Sequence, residues 1–175
     1  MGRFLVVFLV ASAVLAGGLM YYLQVYAFYD EFEGTGVGDV QVTTLAGGKP
    51  EPILSENFKA IDADSSPLRY RACFDTTLSV AMMTETYAVY DNPVPNIAPG
   101  WFDCFDARAL GAALEAGEAT AYLGTANIVY GFDRVVAVDA AGRGFVWHQL
   151  NPCGKASFDG DPLPPGCPKP PEVTE

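Results

Sequence analysis

Ala119-Thr120-Ala121-Tyr122-Leu123, Asn127-Ile128-Val129-Tyr130-Gly131-Phe132, Arg134-Val135-Val136-Ala137-Val138-Asp139 and Gly144-Phe145-Val146-Trp147-His148-Gln149-Leu150 follow one another near the end of a 175-residue chain. Each run is rich in β-branched and aromatic residues, and turn-forming residues separate them, so the four read as strands of an antiparallel meander. Ala140-Ala141-Gly142-Arg143 reads as a hairpin turn in which Gly142 or Gly144 takes a positive φ. Alternation in the last run places Val146, His148 and Leu150 on one face and Phe145, Trp147 and Gln149 on the other.

Just upstream, a helix is expected from about Asp103 or Asp106 to Ala116. An aspartate there accepts hydrogen bonds from the free backbone N–H groups and faces the positive dipole end. Ala107, Leu110 and Leu114 form one apolar face, and Gly117 supplies a left-handed stop. A helix laid across an antiparallel meander gives the fold class α+β. Before it, Pro93, Pro95 and Pro99 force a loop. Arg69 to Phe74 alternates as a half-buried strand, and Thr76 to Tyr90 reads as helix first and strand second.

The other end of the chain differs in kind. From Phe4 to Leu23 there is no charged residue, long enough at helical rise to cross a bilayer. Arg3 precedes the run, and Asp30, Glu31, Glu33 and Asp39 follow it, with no lysine or arginine until Lys49. The positive-inside rule then puts the N-terminus in the cytoplasm and the rest outside. Tyr21, Tyr22, Tyr26, Phe28 and Tyr29 form an aromatic belt at the outer end. A cleaved signal peptide ending at Val14-Leu15-Ala16 is the competing reading, but the apolar run continues to Phe28 with no polar region before the site, which favours an uncleaved anchor. The expected organisation is a cytoplasmic tip and anchor (1–29), a Gly-rich flexible linker (30–50) with Val40 to Leu45 as an edge strand, an exported α+β domain (51–150) and a proline-rich stapled tail (151–175). Seven prolines among the last twenty-five residues argue against helix or interior strand in that tail.

Four cysteines, Cys73, Cys104, Cys153 and Cys167, show no Cys-x-x-Cys spacing, so zinc, thioredoxin-like and haem chemistry lack support. In an exported domain an even count suggests two disulfides. Of three connectivities, Cys73–Cys104 with Cys153–Cys167 is favoured, because the second pair brackets a Gly- and Pro-rich stretch with little core of its own.

The formal charge is −11, with 10 basic and 21 acidic residues. Arg3 is the one charged residue in 1–29, so the remainder carries a net of −12. Nucleic acid is excluded as a partner, since phosphate contacts need a basic face. Gly34-x-Gly36-x-Gly38 has the wrong spacing and too many acids for a phosphate loop. Asp62-x-Asp64-x-Ser66 lacks the glycine and glutamate of a calcium loop, and Asp159-Gly160-Asp161 reads as a polar turn. His148 is the single histidine, with no nucleophile motif beside it, and reads first as a hydrogen-bonded structural residue. No catalytic, cofactor or metal residue is assigned. Trp101, Phe102 and Phe105 either form an aromatic patch for a partner or pack the helix N-terminus against the sheet beside Cys104.

Tyr21 to Tyr26, Ser65 to Phe74, Pro99 to Asp106, Asp133 to Val138 and Trp147-His148-Gln149 resemble an uncharacterised alphaproteobacterial family of single-span membrane proteins, a domain of unknown function. Its members sometimes bear an automatic histidine kinase label. Here no nucleotide motif follows the span and three residues precede it, so the label gains no support. The resemblance implies a Gram-negative host and a periplasmic domain. The expected function is then a non-enzymatic accessory, assembly or binding module, held in the inner membrane through residues 4–28 and serving an envelope protein partner. The alternative is a periplasmic enzyme or redox factor built around His148 or a labile disulfide.

Overall fold

Residues Gly2–Tyr22 (α1) form an apolar helix that continues through one π-helical turn at Leu23–Ala27. Within the 26 residues from Gly2 to Ala27, none of Gly2–Tyr22 is buried. In length and composition this helix suits a membrane span, at roughly 39 Å of helical rise. The structure is a computed structural model that describes residues 2–35 and 38–171. The Gly34-x-Gly36-x-Gly38 run therefore lies partly outside the described residues, as does the end of the tail.

Beyond the helix come β1 (Asp30–Glu33), β2 (Gln41–Thr43), β3 (Pro50–Pro52), β4 (Glu56–Asp62), β5 (Arg71–Asp75), α2 (Val80–Thr86), α3 (Ala107–Ala116), β6 (Ala119–Val129), β7 (Phe132–Asp139), β8 (Arg143–Leu150) and α4 (Pro152–Asp159). Six strands make one antiparallel sheet in the order β1-β4-β5-β8-β7-β6, and β2 and β3 form a separate two-stranded ribbon. The α+β architecture read from the sequence is the one observed.

The sheet is buried on both faces. On one side Ala72, Val136, Val138 and Val146 pack with Tyr122 under Val40 and Val42 of the ribbon and Met83 of α2. On the other side Val135, Ala137 and Trp147 pack with Phe105 and with Leu110 of α3. Local chemistry sets the ends of these elements. The Asp106 carboxylate caps α3 by accepting from the Arg108 and Ala109 amides, and Gly117 closes it at φ 73°. At the β7–β8 hairpin Asp139 accepts from the backbone of Ala141 and Arg143 and from the Arg143 guanidinium. Gly142 turns there at φ 82°, where a side chain would also collide with the Thr76 carbonyl.

Several elements differ from expectation. The second and first strand candidates of the meander are one long strand, β6, bent at register shifts between Leu123 and Val129. Asn127 adopts φ 47° there, and the chain reverses at Gly131 instead. Residues 30–50 are not simply a flexible lead: β1 pairs with β4, and Val40 and Val42 are core residues. The edge strand read over Val40 to Leu45 is observed in shorter form as β2, paired with β3 outside the main sheet. Residues 151–175 do contain a helix, because Pro152 stands at its first turn, where no N–H is needed, and Asn151 caps it through the Gly154 amide. Within Thr76 to Tyr90 the helix reading holds for Val80–Thr86.

All four cysteines are paired, Cys73–Cys104 and Cys153–Cys167. The first ties central strand β5 to the loop before α3, and the second ties α4 to the tail. Replacing Cys153 and Cys167 by serine is expected to cost about 3 kcal/mol in urea unfolding, and replacing Cys73 and Cys104 slightly more, because its loop is longer. Equal midpoints for both double variants and the parent would contradict this reading of the staples.

Candidate functional site

The end of the apolar helix presents backbone carbonyls with no partner inside the helix. Two side chains of the domain reach them. Trp101 donates its indole N–H to the Val25 carbonyl at 2.7 Å, and Arg69 donates to the Gln24 carbonyl at 3.2 Å. The Trp101 ring also stacks on Tyr26 and meets Tyr29 edge-on, at centroid distances of 6.3 and 5.9 Å. The Arg69 guanidinium lies over the Tyr29 ring. The domain is thereby fastened to the helix end by donors and rings. The Pro67–Arg69 turn holds Arg69 in place, its start capped by Ser66 through the Leu68 amide.

Of the three aromatic candidates, Trp101 serves this junction and Phe102 contacts it edge-on. Phe105 is buried, packed edge-on to Phe145 and Trp147. Trp101 and Phe102 also wall a cleft of about 520 Å³, together with Cys104, Asp103, Lys59 and the β1 residues Glu31 to Glu33. β1 is an edge strand. The Gly34 amide donates to the Phe58 carbonyl in register with the β1–β4 ladder, so Glu31 and Glu33 turn their own N–H and C=O outward. The acids of β1 were visible in the sequence as charge; their place on an open sheet edge was not.

His148 lies inside the domain, 4% exposed. Its Nδ1 is 2.7 Å from the Pro67 carbonyl, to which it donates, and its Nε2 accepts from the Arg134 guanidinium at 3.0 Å. That pair of bonds needs the neutral ring with its proton on Nδ1. The ring stacks on Tyr70, and the Arg134 guanidinium also lies over the Tyr70 ring, 4.3 Å from its centroid. Burial, aided by Arg134, lowers the His148 pKa to about 4. Next to it, Arg71 is buried without a carboxylate. Its guanidinium donates to the carbonyls of Leu68, Tyr70, Asn96 and Ile97, and burial lowers its pKa to about 10. Burial also raises the Asp62 carboxyl above its usual range. Arg71 and Arg134 were not singled out from sequence; their signal was a cation in each of two strands otherwise rich in apolar residues. Every polar atom of His148 is committed to holding the Pro67 turn and β7 together.

Among the described residues, no three or more His, Cys, Asp or Glu side chains gather as a metal site. Residues 40–168 match the profile of the family of unknown function DUF6446, and the chain belongs to that family. The match covers the domain from Val40 onward and leaves out the apolar helix. No curated protein and no solved structure matches the chain. An apolar N-terminal helix, whether anchor or signal, together with two disulfides indicates an extracytoplasmic protein.

The His148 environment has a pH consequence. The unfolded histidine titrates near 6.5 and the folded one near 4, so between those values the unfolded chain binds more protons. Stability is therefore expected to fall as pH drops through that window, by an amount on the order of 3 kcal/mol. Urea midpoints at pH 7 and pH 4.5 measure it. His148→Gln should be less stable at pH 7 and show a flatter dependence; an unchanged slope in that variant would assign the effect to other groups.

Proposed function

We propose that this member of DUF6446 is an inner-membrane-anchored periplasmic protein that binds an envelope protein partner and carries out no reaction of its own. The reading rests chiefly on the arrangement around β1. An unpaired sheet edge, a cleft walled by Trp101 and Phe102, and the outer end of the apolar helix lie side by side. Edge strands are normally blunted because free N–H and C=O groups recruit another chain. Here the edge is short and acidic, and Glu31 and Glu33 would repel a second copy of this strongly acidic protein. The same charges favour an extended partner segment carrying lysine or arginine, added to the sheet by main-chain hydrogen bonds.

The enzyme alternative draws little from His148. A general base needs a free nitrogen facing substrate, and both ring nitrogens are engaged in buried bonds. The disulfide alternative is likewise less economical, since each bond joins a loop or tail to the core.

A photo-reactive residue at Phe32, on β1 in the full-length protein in its native membrane, tests the proposal. One adduct of fixed size is expected, and Glu31→Lys with Glu33→Lys should reduce it at least about tenfold. After mild solubilisation the same partner should co-purify at fixed stoichiometry. A folded, membrane-held protein that yields no adduct and elutes alone would overturn the proposal.

A further inference from the structure

The apolar side chains left exposed on the domain are unevenly placed. β1 begins one residue after Tyr29, at Asp30, which pairs with Asp62 at the end of β4. Arg71 at the start of β5 pairs with Trp147 near the end of β8, and Phe132 at the start of β7 pairs with Leu150. One end of the sheet thus receives the apolar helix. The starts of β1, β5 and β7 and the ends of β4, β6 and β8 all lie there. Val94, Ile97, Ile128, Val129, Leu150 and Phe158 are exposed at this same end, which makes half of the twelve exposed large apolar side chains found after residue 29.

Each of these is fixed to that end by a bond or contact. The loop carrying Val94 and Ile97 is held by Arg71 on the Asn96 and Ile97 carbonyls. Asn96 donates to the His148 carbonyl, and the Val94 amide donates to Gln149. The loop then runs to Trp101, which bonds the helix end. From Asn92 to Phe102 it has no charged residue. Phe158 on α4 packs against Phe132, and Ile128 and Val129 close β6. Ile97 is 75% exposed and Phe158 60%, both on backbone that is bonded in place.

We infer that this end of the domain, centred on Ile97 and Phe158, rests on the outer interface of the bilayer that the apolar helix crosses. The inference depends on the anchored reading of that helix. Its occupant follows from continuity. Gln24 and Val25 leave the apolar span at the level where headgroups begin, and Trp101, which binds Val25, belongs to the same uncharged loop as Ile97. Aromatic and aliphatic residues inserted at the headgroup boundary bury apolar area without needing basic residues. That suits a domain whose net charge would otherwise hold it away from anionic lipid.

The test uses the full chain in phosphatidylcholine vesicles. Phe158→Trp and Ile97→Trp variants report on the face, and Leu54→Trp reports on the opposite end, where Thr76 bonds the Leu54 carbonyl and the Gly142 turn. Flotation of the parent after an alkaline wash establishes anchoring first. The added tryptophans at 158 and 97 should be quenched by lipids bearing a nitroxide high on the acyl chain, about threefold or more over the one at 54, and shielded from aqueous iodide. If the protein floats while the tryptophans at 158 and 97 remain open to iodide and untouched by nitroxide lipid, the docking face is wrong and the anchor stands. If the protein does not float, the anchored reading fails and this inference with it.

Discussion

A sheet whose central strands have no wet face has to be covered twice there, and most of the domain follows from that constraint. Val135, Val136, Ala137 and Val138 are consecutive residues of β7 and all are fully buried, so both faces at this strand exclude water. One cover is the β2–β3 ribbon with α2, and the other is α3 with the loop that leads to it. These covers are short and make few backbone bonds of their own. Cross-links to the sheet supply what they lack. The Thr43 hydroxyl donates to the Gly124 carbonyl, the Cys73–Cys104 bond holds the loop before α3, and Arg71 holds the loop around Asn96 and Ile97.

Arg71 shows how such a cross-link is made tolerable. A charge removed from water costs several kcal/mol unless hydrogen bonds replace its hydration. Four carbonyls from two segments do so here, each bond strengthened by the charge. A carboxylate partner would have fixed one point. Carbonyl acceptors fix the path of the backbone on both sides of β5, which is the geometry the Arg69 and Trp101 donors rely on.

The same double burial sets what the sequence could reveal. Strong β runs after Ala119 were legible because branched and aromatic residues dominate them. Their division was not, since Gly124 and Asn127 look like a turn and serve as bends within one strand. β1 carries charges on the sheet edge and β4, beside it, is half exposed, so neither periodicity nor composition marked them. The caps at Asp106 and Gly117 and the pairing of the cysteines needed only local chemistry and were legible. For the candidate site, Trp101 and Phe102 stood out as aromatic rings, but the acceptor of the Trp101 indole, on Val25, is 76 residues away, a distance no local pattern spans. His148 was readable as structural, while its partner Arg134 emerged only from the register of β7 and β8, and Pro67 only from the turn that leads into β5.

The junction also bears on what anchoring does for this domain. A flexible Gly-rich tether would leave an acidic domain to drift away from anionic lipid, since the repulsion is long-ranged compared with any contact it could make. Here the helix end offers carbonyls that must find donors, and the donors are an indole and a guanidinium, side chains with an apolar body and a polar tip. Short-range bonds of that kind persist at any ionic strength, whereas the repulsion is screened. On the anchored reading, orientation at the membrane is therefore decided by the Trp101 and Arg69 contacts rather than by the field of the whole domain, and it is this fixed pose that keeps the β1 edge beside the lipid.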